Sequence, residues 1–560
     1  MENGVKLIIF KQKLVKALEQ AVLQAQQQEL LAFTTLPDIT IEHPQNPKHG
    51  DYASSLPLKL ARATELAPIE IANKIIELIP SSPEISQMVA SPPGFINFTL
   101  STDWLAKQVE VILDSGDAYG GIDLGNSESV QIEFVSVNPT GPLHVGHGRG
   151  AVLGSTLANV FNAAGYKVER EYYINDAGSQ LNAFNRSLYA RYKQCFGADS
   201  EVPDDGYLGN YMIDMAKDIV NSEGDRFLKL PEPSAIEELG NIGINKIMGM
   251  IKQDLELLRI QFDVWFSEQD LFRSGLYEKT MKLLKDSGHV VEREKAIWFV
   301  SSALGENKDN VLVRSDGSPT YFASDIAYHY NKLLERNFDT VIDIWGADHH
   351  GHVSRMKAAV NALGVNPERL KVIICQLVTL HRGEEIIRVS KRSGDIITLK
   401  EVIDEVGTDA CRFFFLSRSA DSQMDFDLEL AKKQSADNPV YYVQYAHARI
   451  ASILKLSEER GIDYKQGDVS LLITEPELAL IRQMCLLPEI IETVVTTLEP
   501  HHLTYYSQNL ATVFHSFYKQ CRVVSKNQAM SSARLKLVKA AQIVLARTLH
   551  LMGMTAPDNM

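Results

Sequence analysis

Apolar positions recur along this chain with two periods, and the switches between them mark its organisation. From Val5 to about Leu31 they follow helical spacing, with Lys6, Lys11, Lys13 and Lys16 interspersed. This predicts an amphipathic helix, not a secretory leader. A short strand is expected around Ile39–Ile41, then helices over Leu56–Leu66 and Pro68–Ile79, the latter with proline in its first turn. Ser91-Pro92-Pro93-Gly94 marks a turn before Phe95–Leu100, which alternates like a strand. Gly120-Gly121 reads as a linker.

Val130–Val137 is strand-like, and Asn138-Pro139-Thr140-Gly141-Pro142 forbids helix continuation. A helical pattern over Leu143–Ala164 stops at Gly165, and Lys167–Ile174 is again a strand. Strand, turn, helix and strand in this order predict a βαβ unit in a parallel sheet. Residues from about 186 to 270 carry aromatics, charges and long helical patterns, and read as an insertion. The α/β signal returns in Val341–Trp345 and Val372–Cys375, with a helix over Val353–Leu363 between them. From Leu399 onward helices dominate: Val440–Leu456, Glu475–Leu498, His502–Val523 and Ser532–Leu551. The predicted class is α/β: a Rossmann-type parallel-sheet catalytic domain, an N-terminal α+β domain and a C-terminal all-α domain. The expected divisions are 1–115, 116–398 with the insertion at about 186–270, a connecting helical segment 399–435, and 436–560.

Composition narrows the class. At roughly 150 residues per domain, 560 residues give three to four domains. Apolar residues at 45% supply several cores and exclude a disordered chain. The formal charge of −15 argues against a general nucleic-acid coat while allowing a local basic groove. Cys195, Cys375, Cys411, Cys485 and Cys521 are scattered without a CxxC pair, so neither a disulfide framework nor a cysteine zinc site is expected. No uncharged apolar run reaches the length of a membrane span. A soluble cytoplasmic protein is expected.

Four constellations could carry chemistry. His144-Val145-Gly146-His147 opens the βαβ helix, where free backbone N–H groups and the helix dipole attract phosphate. Gly146, Gly148 and Gly150 would let a ligand approach the backbone; the plain alternative is a structural or surface histidine pair. Arg388–Asp395 is a basic, glycine-containing loop whose Ser390 and Lys391 could clamp a polyphosphate, though short basic clusters are usually solvated loops. Gly346-Ala347-Asp348-His349-His350-Gly351-His352 follows a strand end, where Asp348 could accept ribose hydroxyls. Its histidines also allow a metal reading, although their spacing lacks the helical HExxH form. Finally, Glu133, Asn138, Tyr321 and Asp325 could face a planar cation, since carboxylates take a guanidinium bidentately. Caps and surface ion pairs are the competing explanation for these four.

These residues together resemble a known family. His144-Val145-Gly146-His147 matches the HIGH signature, and Val389-Ser390-Lys391-Arg392 is similar to the KMSKS loop; the pair marks class I aminoacyl-tRNA synthetases. The longer stretch Glu133–His147, Tyr173–Gly178, Phe262–Glu268, Trp345–Gly351 and Tyr441–Arg449 resembles arginyl-tRNA synthetases of the bacterial type across essentially the whole chain. The resemblance implies activation of L-arginine with ATP to arginyl-adenylate, then transfer to the 3′-terminal adenosine of tRNA(Arg). It implies that His144, Gly146, His147, Gly346, Asp348, Val389 and Lys391 bind ATP, with His144, His147, Ser390 and Lys391 catalytic. Glu133, Asn138, Tyr321, Asp325 and His349 would hold arginine. Phe95 and Asn97 would contact the tRNA elbow, and Tyr518 and Met560 the anticodon region, where an aromatic ring can stack on unpaired bases. Asp409-Ala410-Cys411-Arg412 resembles the DALR signature that opens the anticodon-binding domain. Mg2+ would accompany ATP; no structural metal, no membrane and a monomer are expected.

Arg388 and Val389 depart from the lysine and methionine of the KMSKS pattern, replacing a compact cation by a planar fork. The rivals are a class I synthetase for another amino acid, a small-molecule nucleotidylyltransferase and a metal-dependent hydrolase. The acidic residues argue for a guanidinium, and the long helical C-terminal region has no use in a nucleotidylyltransferase.

Overall fold

The computed structural model describes residues 9–176, 179–387 and 397–560. The chain opens with α1 (Phe10–Gln27), whose apolar stripe Leu14, Leu18, Ala21, Val22 and Ala25 is buried. A four-stranded antiparallel sheet follows: β1 (Ile41–Glu42), β2 (Tyr52–Ser54), then, beyond α2 (Leu56–Thr64) and α3 (Pro68–Leu78), β3 (Ile85–Ser91) and β4 (Phe95–Leu100). The order is β1-β2-β4-β3. Strand β3 escapes the sequence pattern because its side chains alternate only between exposed and half-buried. Helix α4 (Thr102–Ser115), capped by the Ser101 hydroxyl, leads to the next unit.

There β5 (Ser129–Glu133), α5 (Val145–Ala163) and β6 (Lys167–Ile174) form the βαβ unit. Helices α6 (Ser179–Gln194), α7 (Asn210–Glu223) and α8 (Glu232–Leu257) come next, followed by β7 (Val264–Ser267). The stretch read as an insertion over about 186–270 therefore ends too late: β7 pairs in parallel with β6 as the sheet's edge strand. Its four residues are all half-buried, so neither alternation nor an apolar run announces it. After α9 (Glu268–Arg273) and α10 (Leu276–Asp286), β8 (Val290–Arg293), β9 (Ala296–Phe299) and β10 (Asn310–Val313) make a small antiparallel sheet that the sequence reading missed.

Helix α11 (Tyr321–Tyr330) runs into a widened π turn over Asn331–Glu335. Then come β11 (Thr340–Gly346), α12 (Val353–Ala362) and β12 (Leu370–Cys375). The central sheet is wholly parallel, in the order β12-β11-β5-β6-β7. The chain moves outward from β5 on both sides, so the crevice beyond the carboxyl ends of β5 and β11 is the switch point where open α/β sheets bind ligands.

Strands β13 (Val378–Arg382), β14 (Glu385–Ile387) and β15 (Met424–Asp427) form a third small sheet, with α13 (Leu399–Val406) and α14 (Thr408–Leu416) before β15 and α15 (Leu428–Lys432) after it. The C-terminal region is helical: α16 (Pro439–Glu459), α17 (Glu475–Cys485), α18 (Leu487–Thr497), α19 (His501–Gln520) and α20 (Gln528–Leu551). The single helix expected over Glu475–Leu498 is two, because Pro488 fits the first turn of α18 but cannot continue α17. Among the described residues no helix is long and apolar enough to cross a membrane.

Two buried arginines bind these parts together. Arg149 on α5 donates to the carbonyls of Gln376, Ser419 and Ser422 at 2.8–3.0 Å. Arg412 on α14 donates to the carbonyls of Met552 and Leu258, both at 2.6 Å, and to the Ser155 and Thr156 hydroxyls of α5. The DALR-like segment thus joins α5, the end of α8 and the C-terminal tail; Asp409 of the same segment accepts from Gln444 and Thr555. Lysine at 412 keeps the charge but loses the fork, stranding buried acceptors. Arg412→Lys is expected to cost about 1–3 kcal/mol, read as a lower urea midpoint in equilibrium unfolding. An unchanged midpoint would show that the acceptors find other donors.

Candidate functional site

The chain leaves β5 abruptly. The strand expected to reach Val137 ends at Glu133, because Val135 and Ser136 take left-handed φ of 71° and 41°. Such a pair is strained for non-glycine residues and persists only where neighbours hold it. Here the Tyr173 amide donates to the Ser136 hydroxyl at 3.1 Å and the Tyr172 hydroxyl to the Val137 carbonyl at 3.0 Å. The bend lifts the chain over the sheet edge and delivers it to α5.

His144 is the N-cap of α5. Its Nδ1 accepts from the Gly146 amide at 3.2 Å, while His147 Nδ1 accepts from the His144 amide at 3.3 Å. The rings stack 3.5 Å apart between centroids. Both Nδ1 atoms thus act as acceptors, which leaves the proton on each Nε2. A side chain at Gly146 would crowd the His144 ring at 3.1 Å. Gly148 has a different reason from the ligand approach expected of it: a Cβ there would strike Leu399 at 2.6 Å and Phe415 at 3.0 Å, so it serves packing. Val389, Ser390 and Lys391, with Arg388, lie outside the described residues. The described flank beyond them docks at the histidine turn, where Thr398 bridges His144 and the Leu399 amide donates to the Leu143 carbonyl at 2.8 Å.

Beside this turn lies an acidic basin. Burial first, then the charges of Glu268, Asp325, Glu133 and Asp176, raise the pKa of the Tyr173 phenol, so the four carboxylates all lie near enough to act on one buried hydroxyl. Asp325 stands one turn into α11 and accepts from His352 Nε2 at 2.9 Å. His352 Nδ1 accepts from Arg355, which leaves the proton on Nε2 for Asp325. Glu268, the first residue of α9, is 4% exposed; burial, with the charges of Asp325 and Asp176, lifts its carboxyl to about 7 against the pull of Ser324.

Glu133 is deeper than expected and already has a cation. Lys332 Nζ lies 2.5 Å from Glu133 and 2.8 Å from Asp343, with no exposure of its own side chain. Asp343 also faces His329 Nε2 at 2.8 Å, and His329 Nδ1 faces the Asp325 carbonyl at 2.7 Å. Burial pushes the Glu133 carboxyl up despite Lys332; Asp343, with Lys332 and His329 both beside it, is held down against burial. Lys332 reaches this position from the π turn after α11.

The remaining residues spread around the crevice. Tyr321, at the start of α11, is 47% exposed on its rim. The Asn138 amide donates to Gln180 at 2.5 Å. Gly346 closes β11, and a Cβ there would meet the Asp348 carboxylate at 2.7 Å. Asp348 and His349 are exposed and 3.7 Å apart. His349, expected at the guanidinium, is thus placed beside Asp348 and Trp345, while His352 is the imidazole that bonds Asp325. The metal reading of this segment finds no support: among the described residues the only three-donor cluster is Glu499, His501 and His502, in the C-terminal helices.

Far from the crevice, Asn97 is buried and donates to the Ser91 hydroxyl at 3.0 Å, beside a half-buried Phe95 on β4. Tyr518 on α19 carries the Arg449 guanidinium 4.4 Å above its ring. Tyr445, which stacks on Tyr441 at 7° between planes, also faces Arg449. Met560 ends the chain exposed.

Sequence reasoning named none of Lys332, Asp343 and His329 as site residues, considered His352 only as a candidate metal ligand, and quoted Glu268 only as part of a motif. The signals were present but weak: a Lys on an otherwise apolar helical run, and an Asp inside an apolar strand, both of which need partners if buried.

Three family profiles match the chain. The one described as "Arginyl tRNA synthetase N terminal domain" covers residues 9–100, "tRNA synthetases class I (R), catalytic domain" 108–451, and "DALR anticodon binding domain" 443–560. The chain is 58% identical over 554 residues to the arginine–tRNA ligase of Dehalococcoides mccartyi, spanning 99% of this chain and 100% of that one. To the arginine–tRNA ligase of Carboxydothermus hydrogenoformans it is 49% identical over 523 residues, 93% and 94% of the two chains. Its fold is similar to that of the Thermus thermophilus arginyl-tRNA synthetase, with a TM-score of 0.79 at 23% identity over 98% of this chain and 100% of that one. With profiles spanning its length and full-length relatives above half identity, the chain belongs to the arginine–tRNA ligase family of class I aminoacyl-tRNA synthetases.

Proposed function

We propose that this chain activates L-arginine with ATP and transfers the arginyl group to the 3′-terminal adenosine of tRNA(Arg). In the first step the arginine carboxylate attacks the α-phosphorus, the bond to the bridging oxygen breaks, and pyrophosphate leaves. In the second a ribose hydroxyl attacks the carbonyl carbon, loses its proton, and AMP departs. The observation that carries this reading is that the acidic basin and the paired histidines open at one edge of one parallel sheet.

The basin answers the guanidinium: Asp325, Glu268 and the outer edge of Glu133 supply charge, Tyr321 closes the rim, and Asn138 takes the α-amino end. His349 lies nearer the adenosine end in this arrangement, with Gly346 and Asp348. The Nε2–H groups of His144 and His147 donate to phosphate oxygens as charge develops on phosphorus. Val389, Ser390 and Lys391 close over the pyrophosphate, and Mg2+ enters bound to ATP as part of the substrate. Phe95 and Asn97 meet the tRNA elbow, and Tyr518 with Met560 the anticodon end. The enzyme acts as a cytoplasmic monomer. The direct test is charging: radiolabelled arginine, ATP and total tRNA yield labelled tRNA, and labelled lysine does not. Absence of label, or equal charging of lysine, would overturn the assignment.

The basin also predicts a pH dependence. A bound cation favours ionised Glu268, whose carboxyl burial lifts to about 7. Below that pH arginine must expel a proton to bind, so kcat/KM for arginine is expected to fall as pH drops through about 7 and to level off above it. The same shift lowers the stability of the fold as pH rises from 4.5 to about 7, the window in which only the unfolded chain has released the proton. Pyrophosphate exchange across this range checks the first effect, and Glu268→Gln is expected to flatten the step. A step of undiminished size in that variant would assign it elsewhere.

A further inference from the structure

We propose that Glu499, His501 and His502 form a site for a divalent transition metal, with Zn2+ the ion best suited to it. The site lies where α18 turns into α19. Leu498 closes α18 in a left-handed conformation, φ 60°, and Pro500 caps α19. The reversal folds Glu499 back against the first two residues of the next helix. One donor atom from each of the three side chains lies within 4.8 Å of the others. His502 Nε2 is 3.3 Å from a Glu499 oxygen, and the two imidazoles stack 4.4 Å apart. Ligands around a tetrahedral zinc with bonds of about 2.0–2.1 Å are themselves roughly 3.3 Å apart. The His502–Glu499 pair already has that spacing, and His501 would turn its ring to bring its donor in from within 4.8 Å.

A second observation points the same way. His501 Nδ1 is buried and finds no hydrogen-bond partner in the protein among the described residues. Buried polar atoms are rarely left so, and an imidazole with one unpaired nitrogen, grouped with a second imidazole and a carboxylate, has coordination capacity to spare. The positive end of α19 disfavours a cation, and the Glu499 carboxylate offsets it. Two imidazoles and one carboxylate suit zinc, whereas Mg2+ and Ca2+ prefer all-oxygen shells.

The surroundings give the ion a structural consequence. Asp421 lies close enough for its charge to act on His501, and the Tyr505 ring stands edge-on to His501 while its hydroxyl reaches the Ser417 carbonyl. Ser417 and Asp421 belong to the loop whose Ser419 and Ser422 carbonyls receive Arg149 from α5. Asp421 or water would complete the shell. A bound ion would then tie the start of α19 to the loop that anchors the helix bearing the histidine turn.

The test uses the full chain, stripped with a chelator and titrated with Zn2+ by calorimetry; Co2+ reports ligand geometry through its visible absorption. One equivalent is expected to bind the unaltered chain and to raise its thermal midpoint, with affinity at least tenfold lower in His501→Ala and in His502→Ala. Glu499→Gln keeps the shape of the turn, folds independently of any cavity left by alanine, and is also expected to weaken binding. A His349→Ala/His350→Ala chain is expected to retain the tight equivalent. Absence of stoichiometric binding, or Glu499→Gln and His501→Ala chains that bind as tightly as the unaltered chain, would overturn the site.

Discussion

Replacing Asp325 by alanine is expected to lower kcat/KM for arginine by roughly 30- to 5,000-fold while leaving the KM for ATP within about twofold. This is the fold-change for losing one charged partner of a desolvated cation, about 2–5 kcal/mol. Asp325 keeps 34% of its side chain exposed, and His352 holds its carboxylate from one side at 2.9 Å. It is therefore the group best placed to meet an incoming guanidinium. Its removal also frees His352 Nε2, which adds a misplaced donor to the pocket. The proposed ATP end lies on other elements, the turn into α5 and the close of β11. Pyrophosphate exchange at varied arginine and fixed ATP, then the reverse, separates the two. Unchanged arginine kinetics would remove Asp325 from the pocket.

The second large effect concerns a residue that touches no substrate. Lys332→Met is expected to destabilise the fold by about 3–5 kcal/mol, the usual cost of stripping one partner from a buried ion pair. Lys332 is enclosed by Glu133, Asp343 and the Tyr328 ring, whose centroid lies 4.1 Å from Nζ. Without it two buried carboxylates face each other across β5 and β11, paired as neighbours in the sheet register. Glu133 is the one that protonates, since burial already pushes it up while His329 still holds Asp343 ionised. Neutral Glu133 then presents less charge to arginine, so the KM for arginine rises alongside the loss of stability. The double variant Lys332→Met/Glu133→Gln removes the stranded charge and is expected to recover most of the stability without recovering arginine affinity. A single variant that unfolds at the same denaturant concentration as the unaltered chain would show that the lysine is not needed to neutralise this cluster.

These two residues differ in how visible they are from the sequence. Asp325 follows Tyr321 by one helical turn and precedes a strand with a glycine at its end, so spacing alone places it on a helix face near a sheet edge. Lys332 lies seven residues further on, which ordinary helical spacing would put on nearly the same face as Asp325; the π turn over Asn331–Glu335 changes that angle. A local hydrogen-bond shift of this kind is decided by what the helix packs against. The same holds for Val135 and Ser136. Their residue types favour strand continuation, yet both are left-handed because Tyr172 and Tyr173 on β6 hold the turn.

The sequence by itself determined the parallel sheet, the helical C-terminal region and the histidine turn, because each is specified within some tens of residues. Strand β5, the proline turn, α5 and β6 are contiguous, and their hydrophobic periods, breakers and caps are local properties. It also brought the acidic residues into view, though not their division of labour. Only the tertiary structure decided that Glu133 is held by Lys332 while Asp325 stays open, that His352 rather than His349 bonds Asp325, and that β7 completes the sheet. The reason is physical. A carboxylate's availability depends on which charges share its burial, and Lys332 stands 199 residues from Glu133 along the chain. Periodicity records which way a side chain points from its own element; it carries no record of the partner that arrives from another.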